Sequence, residues 1–357
     1  MRKYRDKIDP QLRHIARKIP FTEKILRMAE KPQTLMLKAT PVPRELFVST
    51  YKIQGYNNLE FPIEVYESAE DTRKKPCLFY IHGGGFGYKA APYHKKLACI
   101  YASKADCKVV FPDYHRLPEY PYPAAAKDVL AVYEWVCKHA VILGIDTAHI
   151  AIAGDSAGGA LAAGLCRQIE EKELPKPCFQ MLVYPVTDAR MQTASMDKYI
   201  DTPLWNAKNN DSMWKMYLKN VSDVEKSQAS PMQAELPIQI PDTYIEVAEI
   251  DCLHDEGVAY GKRLRAAGAN VKIHETKGTI HGYDNALKSD VAKKNIRCRR
   301  TMTGMKTWKC FLKTKKKSGI RRHSRWTSSV SRMRARAITV LPAVPSARTR
   351  KSWAFAS

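Results

Sequence analysis

The 357-residue sequence has no apolar run of about 18 residues, the length a membrane-spanning helix requires, so no such helix is expected. It has no C-x-x-C pair. Its nine cysteines are scattered at positions 77, 99, 107, 137, 166, 178, 252, 298 and 310, which excludes a zinc ribbon or a thioredoxin-like redox centre. Several lie inside apolar runs, as buried reduced thiols do, and a cytoplasmic protein is expected. The start, Met1 to Asp6, is charged and lacks the apolar core of a secretory leader, so none is expected. The largest absence is of acid: no Asp or Glu follows Asp290, whereas 20 of the 59 Lys and Arg residues fall between Val291 and Ser357. The net charge of +23 therefore belongs to the tail, because the first 290 residues hold 39 basic against 36 acidic residues. The near-neutral body, in a chain 45% hydrophobic and 27% charged, has the composition of an ordinary soluble globular protein.

What is present is an alternation of short apolar runs with helical periodicity. Val48–Ile53 and Ile63–Glu67 read as a strand pair, and Cys77–Ile81, Val109–Pro112, Ile150–Ala153, Phe179–Tyr184, Thr243–Ala248 and Val271–His274 as further strands. Helical stretches lie between them, near 95–105, 124–140, 157–172 and 254–267. This pattern predicts an α/β fold with a mostly parallel sheet covered on both faces. Residues 1–45 read as amphipathic helical pieces, Gln11–Lys18 and Thr22–Ala29, broken by Pro20 and Pro32. The alternation lapses over about 188–240, an insert with Trp205, Trp214 and Tyr217 that reads as helical cap sequence. The expected division is a cap segment at 1–45, a catalytic domain at 46–296 carrying that insert, and a basic tail at 297–357.

The chemistry centres on Gly154-Asp155-Ser156-Ala157-Gly158, a G-x-S-x-G turn between the strand Ile150–Ala153 and a helix. Such a turn holds the serine hydroxyl out at the sheet edge and aims the helix's first amides at the same point. Asp251 and His281 fall after two later strands, giving the chain order Ser, Asp, His of an acyl-transfer triad. In that logic Ser156 is the nucleophile, His281 the general base and then acid, and Asp251 the group that orients the imidazole. Asp255 is a rival for the acid, but on a helix starting near 253 it sits one turn further from the strand end. Gly83, Gly84 and Gly85, after His82, lack the G-x-G-x-x-G spacing of a dinucleotide loop. They read instead as one side of an oxyanion hole, with the Ala157 amide as the other. Phe86, Trp205, Trp214 and Tyr217 are candidate pocket residues, and Glu119 and Asp188 read as structural.

These pieces resemble the hormone-sensitive-lipase-like family of α/β-hydrolases. The matching segments are His82–Phe86 (H-G-G-G-F), Asp113–Glu119, Gly154–Gly159 (G-D-S-A-G-G), Glu249–Gly257 (E-I-D-C-L-H-D-E-G) and His281-Gly282-Tyr283. The resemblance spans about residues 45–290. It implies the α/β-hydrolase fold with a helical cap, and a serine carboxylesterase or deacetylase acting on short-chain, acetyl-like esters. It implies no metal and no organic cofactor, and a small-molecule ester as the partner. Cys252 and His254 stand where the family has proline and arginine, and Asp113–Glu119 reads D-Y-H-R-L-P-E where it has D-Y-R-L-A-P-E.

Two other functions compete: a non-catalytic small-molecule receptor on the same scaffold, and a nucleic-acid binder driven by the tail. All three triad residues are present, against the first, and the body lacks interleaved arginine and aromatic residues, against the second. The loss of acids beyond Arg297 reads foremost as a frame-shifted end. A disordered basic tail for nucleic acid or an anionic surface, and a folded extension, are the alternatives. A homodimer is compatible with the sequence.

Overall fold

The computed structural model describes residues 2–68 and 74–301. Helices α1 (Arg2–Arg5) and α2 (Glu23–Ala39) precede β1 (Leu46–Gln54) and β2 (Glu60–Ser68). Next come β3 (Lys75–Ile81), α3 (Pro92–Ala105), β4 (Lys108–Pro112), α4 (Ala124–Lys138), β5 (Ile145–Asp155), α5 (Ala157–Glu171) and β6 (Phe179–Val183). The insert holds α6 (Ala194–Lys198), α7 (Ala207–Tyr217) and α8 (Asp223–Ala229). The chain then runs through β7 (Asp242–Ile250), α9 (His254–Ala266), β8 (Val271–Ile280) and α10 (Asp290–Thr301).

The strands form one sheet in the order β1-β2-β4-β3-β5-β6-β7-β8. The β1–β2 and β2–β4 pairs are antiparallel and the others parallel. Strands β3, β4 and β6 are buried at every residue, which is why β3 and β4 read as apolar runs, Cys77–Ile81 and Val109–Pro112, rather than alternating ones. The crossovers β3–α3–β4 and β4–α4–β5 travel in opposite directions across the sheet. Being right-handed, they put α3 and α4 on opposite faces. Helix α10 then packs with α3, and α5 with α4. Strand order reverses at β3 and β5, and that reversal opens a crevice at their carboxyl ends.

Four sequence expectations change. Helix α2 does not stop at Pro32 but runs to Ala39, capped by the Thr22 hydroxyl, which accepts from the Ile25 amide at 3.4 Å. Pro32 is exposed, so the carbonyl it leaves unpaired one turn earlier faces water. Gln11–Lys18 is not an α-helix; a 3-10 turn at Pro10–Leu12 is its only helical element. Strand β8 continues past His274 to Ile280, because this edge strand keeps Thr276 inward while Glu275 and Lys277 face solvent. The boundary expected at Arg297 is absent, since α10 continues to Thr301 and Arg299 is only 1% exposed. The rest of the basic stretch, from Met302, lies outside the described residues.

The amino-terminal segment lies on the insert. The Leu204 amide donates to Arg17 O at 2.8 Å, Asn209 Nδ2 donates to Ile19 O at 2.7 Å, and Tyr4 Oη donates to Asp201 Oδ1 at 2.8 Å. Phe21 meets Trp205 edge-on, with ring centres 5.3 Å apart.

Candidate active site

Ser156, Asp251 and His281 each stand one residue beyond the end of a parallel strand: β5, β7 and β8 respectively. The serine sits at φ 55°, ψ −121°, a left-handed conformation costing on the order of 1–3 kcal/mol and persisting only where the surroundings enforce it. Two backbone bonds to the end of β6 do so: Ser156 N donates to Val183 O at 2.9 Å, and Val186 N donates to Ser156 O at 3.0 Å. The turn is also closed sterically. A Cβ on Gly154 would lie 2.1 Å from the Gly158 carbonyl oxygen, and one on Gly158 would lie 2.2 Å from that of Ile81. Both contacts are with backbone, so neither position can yield, and glycine is required at each.

The three side chains meet. His281 Nε2 is 2.9 Å from Ser156 Oγ, and its Nδ1 is 2.7 Å from Asp251 Oδ2. Asp251 is fully buried and accepts the Leu253 amide at 3.1 Å on its other oxygen. The His281 ring packs against Tyr184 at 4.7 Å and Trp205 at 6.0 Å. Asp255, the rival acid, is engaged elsewhere: it accepts from the Ser195 amide at 2.8 Å and lies 2.7 Å from His254 Nδ1.

The glycine loop reaches the serine because β3 pairs directly with β5, Ile81 opposite Gly154. A Cβ on Gly83 would come 3.0 Å from that of Ser156. Gly84 and Gly85 adopt φ of 123° and 62°, and Gly84 O accepts from the amides of Gly87 and Tyr88 at 3.1 and 2.8 Å. Among the described residues, the amides of Gly83, Gly84, Gly85 and Ala157 donate to no other group of the chain. Ala157 opens α5, whose first amides have no intrahelical acceptor. A group of unpaired N–H donors beside a serine suits the oxyanion of a tetrahedral intermediate.

The four aromatic candidates divide. Phe86 stacks on Tyr217, centres 3.8 Å apart and planes at 1°, with Trp214 6.1 Å from each. Trp205 stands apart, between Phe21 and His281. Phe86 and Tyr217 line a crevice with Tyr122, Ala160, Leu161 and Ala229, between α5 and the insert; Trp205 and Trp214 do not.

Supporting groups had no sequence signal beyond residue type. His94 Nδ1 accepts the Ala91 amide at 2.9 Å, so Nε2 carries the proton and donates to Asp155 Oδ2 at 3.0 Å. Tyr80 Oη donates to the same carboxylate at 3.0 Å. Burial acts to raise the Asp155 carboxyl, but His94 and Tyr80 outweigh it and hold it below the usual carboxylate range. These bonds join the glycine loop's return to the serine turn. His82 is buried against Tyr114, and burial lowers its pKa to about 3, leaving a neutral ring.

Behind Asp251, Glu256 is fully buried and accepts the Thr187 and Asp188 amides at 2.6 and 3.2 Å. Burial pushes its carboxyl up to about 8. Below about pH 4.5 both folded and unfolded chains keep this proton. From there to about pH 8 only the unfolded chain ionises, so the group withdraws stability as pH rises through that window. Glu256→Gln copies the neutral acid without that loss. It should match the parent chain near pH 4.5 and exceed it near pH 8 by on the order of 4 kcal/mol in thermal or urea melts. A difference that does not change with pH would contradict this account.

An eight-stranded, mostly parallel sheet with helices on both faces and a serine on its strand-to-helix turn is the α/β-hydrolase architecture. Residues 78–285 match the model of the alpha/beta hydrolase fold family, and the chain belongs to that family. It is 34% identical over 284 residues to esterase LipI of Mycobacterium tuberculosis, covering 77% of this chain and 88% of the relative. It is 31% identical over 225 residues to an ethyl acetate hydrolase of Pseudomonas putida, covering 62% and 71%. A bacterial heroin esterase superposes with a TM-score of 0.77 at 29% identity, over 86% of this chain and 98% of that one. The protein is a carboxylic-ester hydrolase of the hormone-sensitive-lipase-like group. No described helix is long and apolar enough to cross a membrane.

Proposed function

We propose that the protein hydrolyses short-chain, acetyl-like carboxylic esters through an acyl-enzyme on Ser156. The observation that carries this reading is the continuous contact from Ser156 Oγ to His281 Nε2 and from His281 Nδ1 to Asp251. With Nδ1–H donating to Asp251, Nε2 presents its lone pair to the serine hydroxyl. His281 takes that proton as Oγ attacks the ester carbonyl and returns it to the leaving alkoxide. Water then repeats the cycle on the acyl-serine. The amides of Gly83, Gly84, Gly85 and Ala157 receive the oxyanion, each donor being worth about 3–4 kcal/mol in the transition state. Asp251 holds the tautomer and steadies the imidazolium, and nothing in the sequence asks for a metal or organic cofactor.

In this reading residues 1–45 and the insert act together as a cap, which their mutual hydrogen bonds support. The short-chain preference is supported by the likeness to an ethyl acetate hydrolase. With a series of p-nitrophenyl esters, kcat/KM should peak between acetate and butyrate and fall by about tenfold or more at octanoate. A maximum at octanoate or longer would refute the acyl-length part and leave hydrolysis itself standing.

A further inference from the structure

We propose that the outward face of α2 is a docking surface for an anionic lipid bilayer. The helix is apolar over more of its circumference than the protein covers. Its inward side is fixed by Leu26, buried against Gly87 of the glycine loop, by Gln33 Oε1, which accepts the Lys89 amide at 3.0 Å, and by Glu30, which pairs with Arg116 at 3.1 Å. At about 100° per residue, Leu35 lies about 180° around the helix from Leu26, with Met28 beside it and Met36 at the edge of the same arc. These three side chains are 70%, 63% and 55% exposed.

Charge decides what covers them. Lys24, Lys31 and Lys38 recur at seven-residue intervals, which keeps them on one ridge directly alongside Met28 and Leu35, and all three are exposed. The two acids of the helix, Glu23 and Glu30, fall elsewhere on its circumference. An apolar strip bordered by a row of lysines suits the boundary between anionic headgroups and acyl chains, where the strip is buried and the ammonium groups reach outward to phosphate. Because α2 packs on the glycine loop, docking in this way would bring the cap side of the molecule to the lipid surface.

The test uses the full chain and flotation with vesicles of phosphatidylcholine alone or mixed equally with phosphatidylglycerol. The protein should float with the mixed vesicles. Met28→Gln/Leu35→Gln/Met36→Gln should lower the vesicle partition coefficient by about tenfold or more, and Lys24→Glu/Lys31→Glu should abolish the preference for anionic lipid. Both variants should keep the parent's kcat/KM on a soluble acetate ester, which separates this surface from the hydrolytic site. Binding that is absent in the parent chain, or equal in the parent and the triple-Gln variant, overturns the proposal. So does sedimentation showing a dimer that the triple-Gln variant dissolves, which would assign the face to a second copy.

Discussion

Ser156→Ala should lower kcat for p-nitrophenyl acetate by about 10⁴- to 10⁶-fold, the range seen when a triad nucleophile is removed. The residue remaining at 156 cannot form the acyl-enzyme, while the oxyanion donors and the substrate site persist. Residual hydrolysis should therefore exceed the uncatalysed rate but lack any pre-steady-state burst. Stability should change by no more than about 1 kcal/mol. Ser156 is the N-cap of α5, yet its side chain makes no capping bond, so alanine deletes no support of the helix. Alanine also bears a Cβ as serine does, so the cost of φ 55° is unchanged. An organophosphonate ester should label the parent chain once, on Ser156, and the variant not at all. Activity within a few-fold of the parent would sink the proposed mechanism, and so would labelling elsewhere.

The serine turn was legible because its constraints are written in residue type. Gly154 and Gly158 are glycine because backbone atoms occupy the space of a side chain, and a pattern of that kind survives without any knowledge of neighbours. The parallel core is legible for a similar reason: strands buried on both faces, such as β3 and β4, read as apolar runs, Cys77–Ile81 and Val109–Pro112. The second half of β8 is hidden in the sequence because, on this edge strand, Glu275, Lys277 and Gly278 look like a loop until pairing with β7 is known. Pro32 reads as a helix end because a sequence does not say which side of a helix meets water. The pocket aromatics could not be sorted either. Trp205 and Trp214 lie nine residues apart in an irregular insert, and only tertiary packing sends one to His281 and the other to Phe86.

Arg299 is the residue whose importance the sequence most concealed, and Arg299→Met should destabilise the protein by about 3–5 kcal/mol, as breaking one side of a buried ion pair does. The melting temperature should fall by roughly 10 °C. Within the run Arg297-Cys298-Arg299-Arg300 it looks like one more cation of an acid-free tail. In the fold its Nε donates to Glu246 Oε2 at 2.9 Å, its Nη1 to Asp284 Oδ2 at 3.0 Å and its Nη2 to Tyr283 Oη at 2.9 Å. All four side chains are buried. Burial works against the ionised Glu246, and the guanidinium reverses this and keeps the carboxyl below its usual range. The second acid, Asp284, is pushed upward by burial, since one cation cannot balance two carboxylates. The cluster also touches the proposed active site: Tyr184 Oη donates to Asp284 Oδ2 at 2.9 Å, and the Tyr184 ring packs on His281. Methionine would leave Glu246 on β7 with tyrosine hydroxyls alone and unfasten α10 from the sheet. Arg299→Lys should recover only part of the loss, because an ammonium cannot serve both carboxylates through a planar fork. Arg299→Met/Glu246→Gln/Asp284→Asn should recover more, since it removes the charges that the single substitution strands. If Arg299→Met melts with the parent chain, the buried cluster is not what joins α10 to the core. If it melts as expected, the folded protein extends past the point where the acids run out, and Arg299 is part of its core.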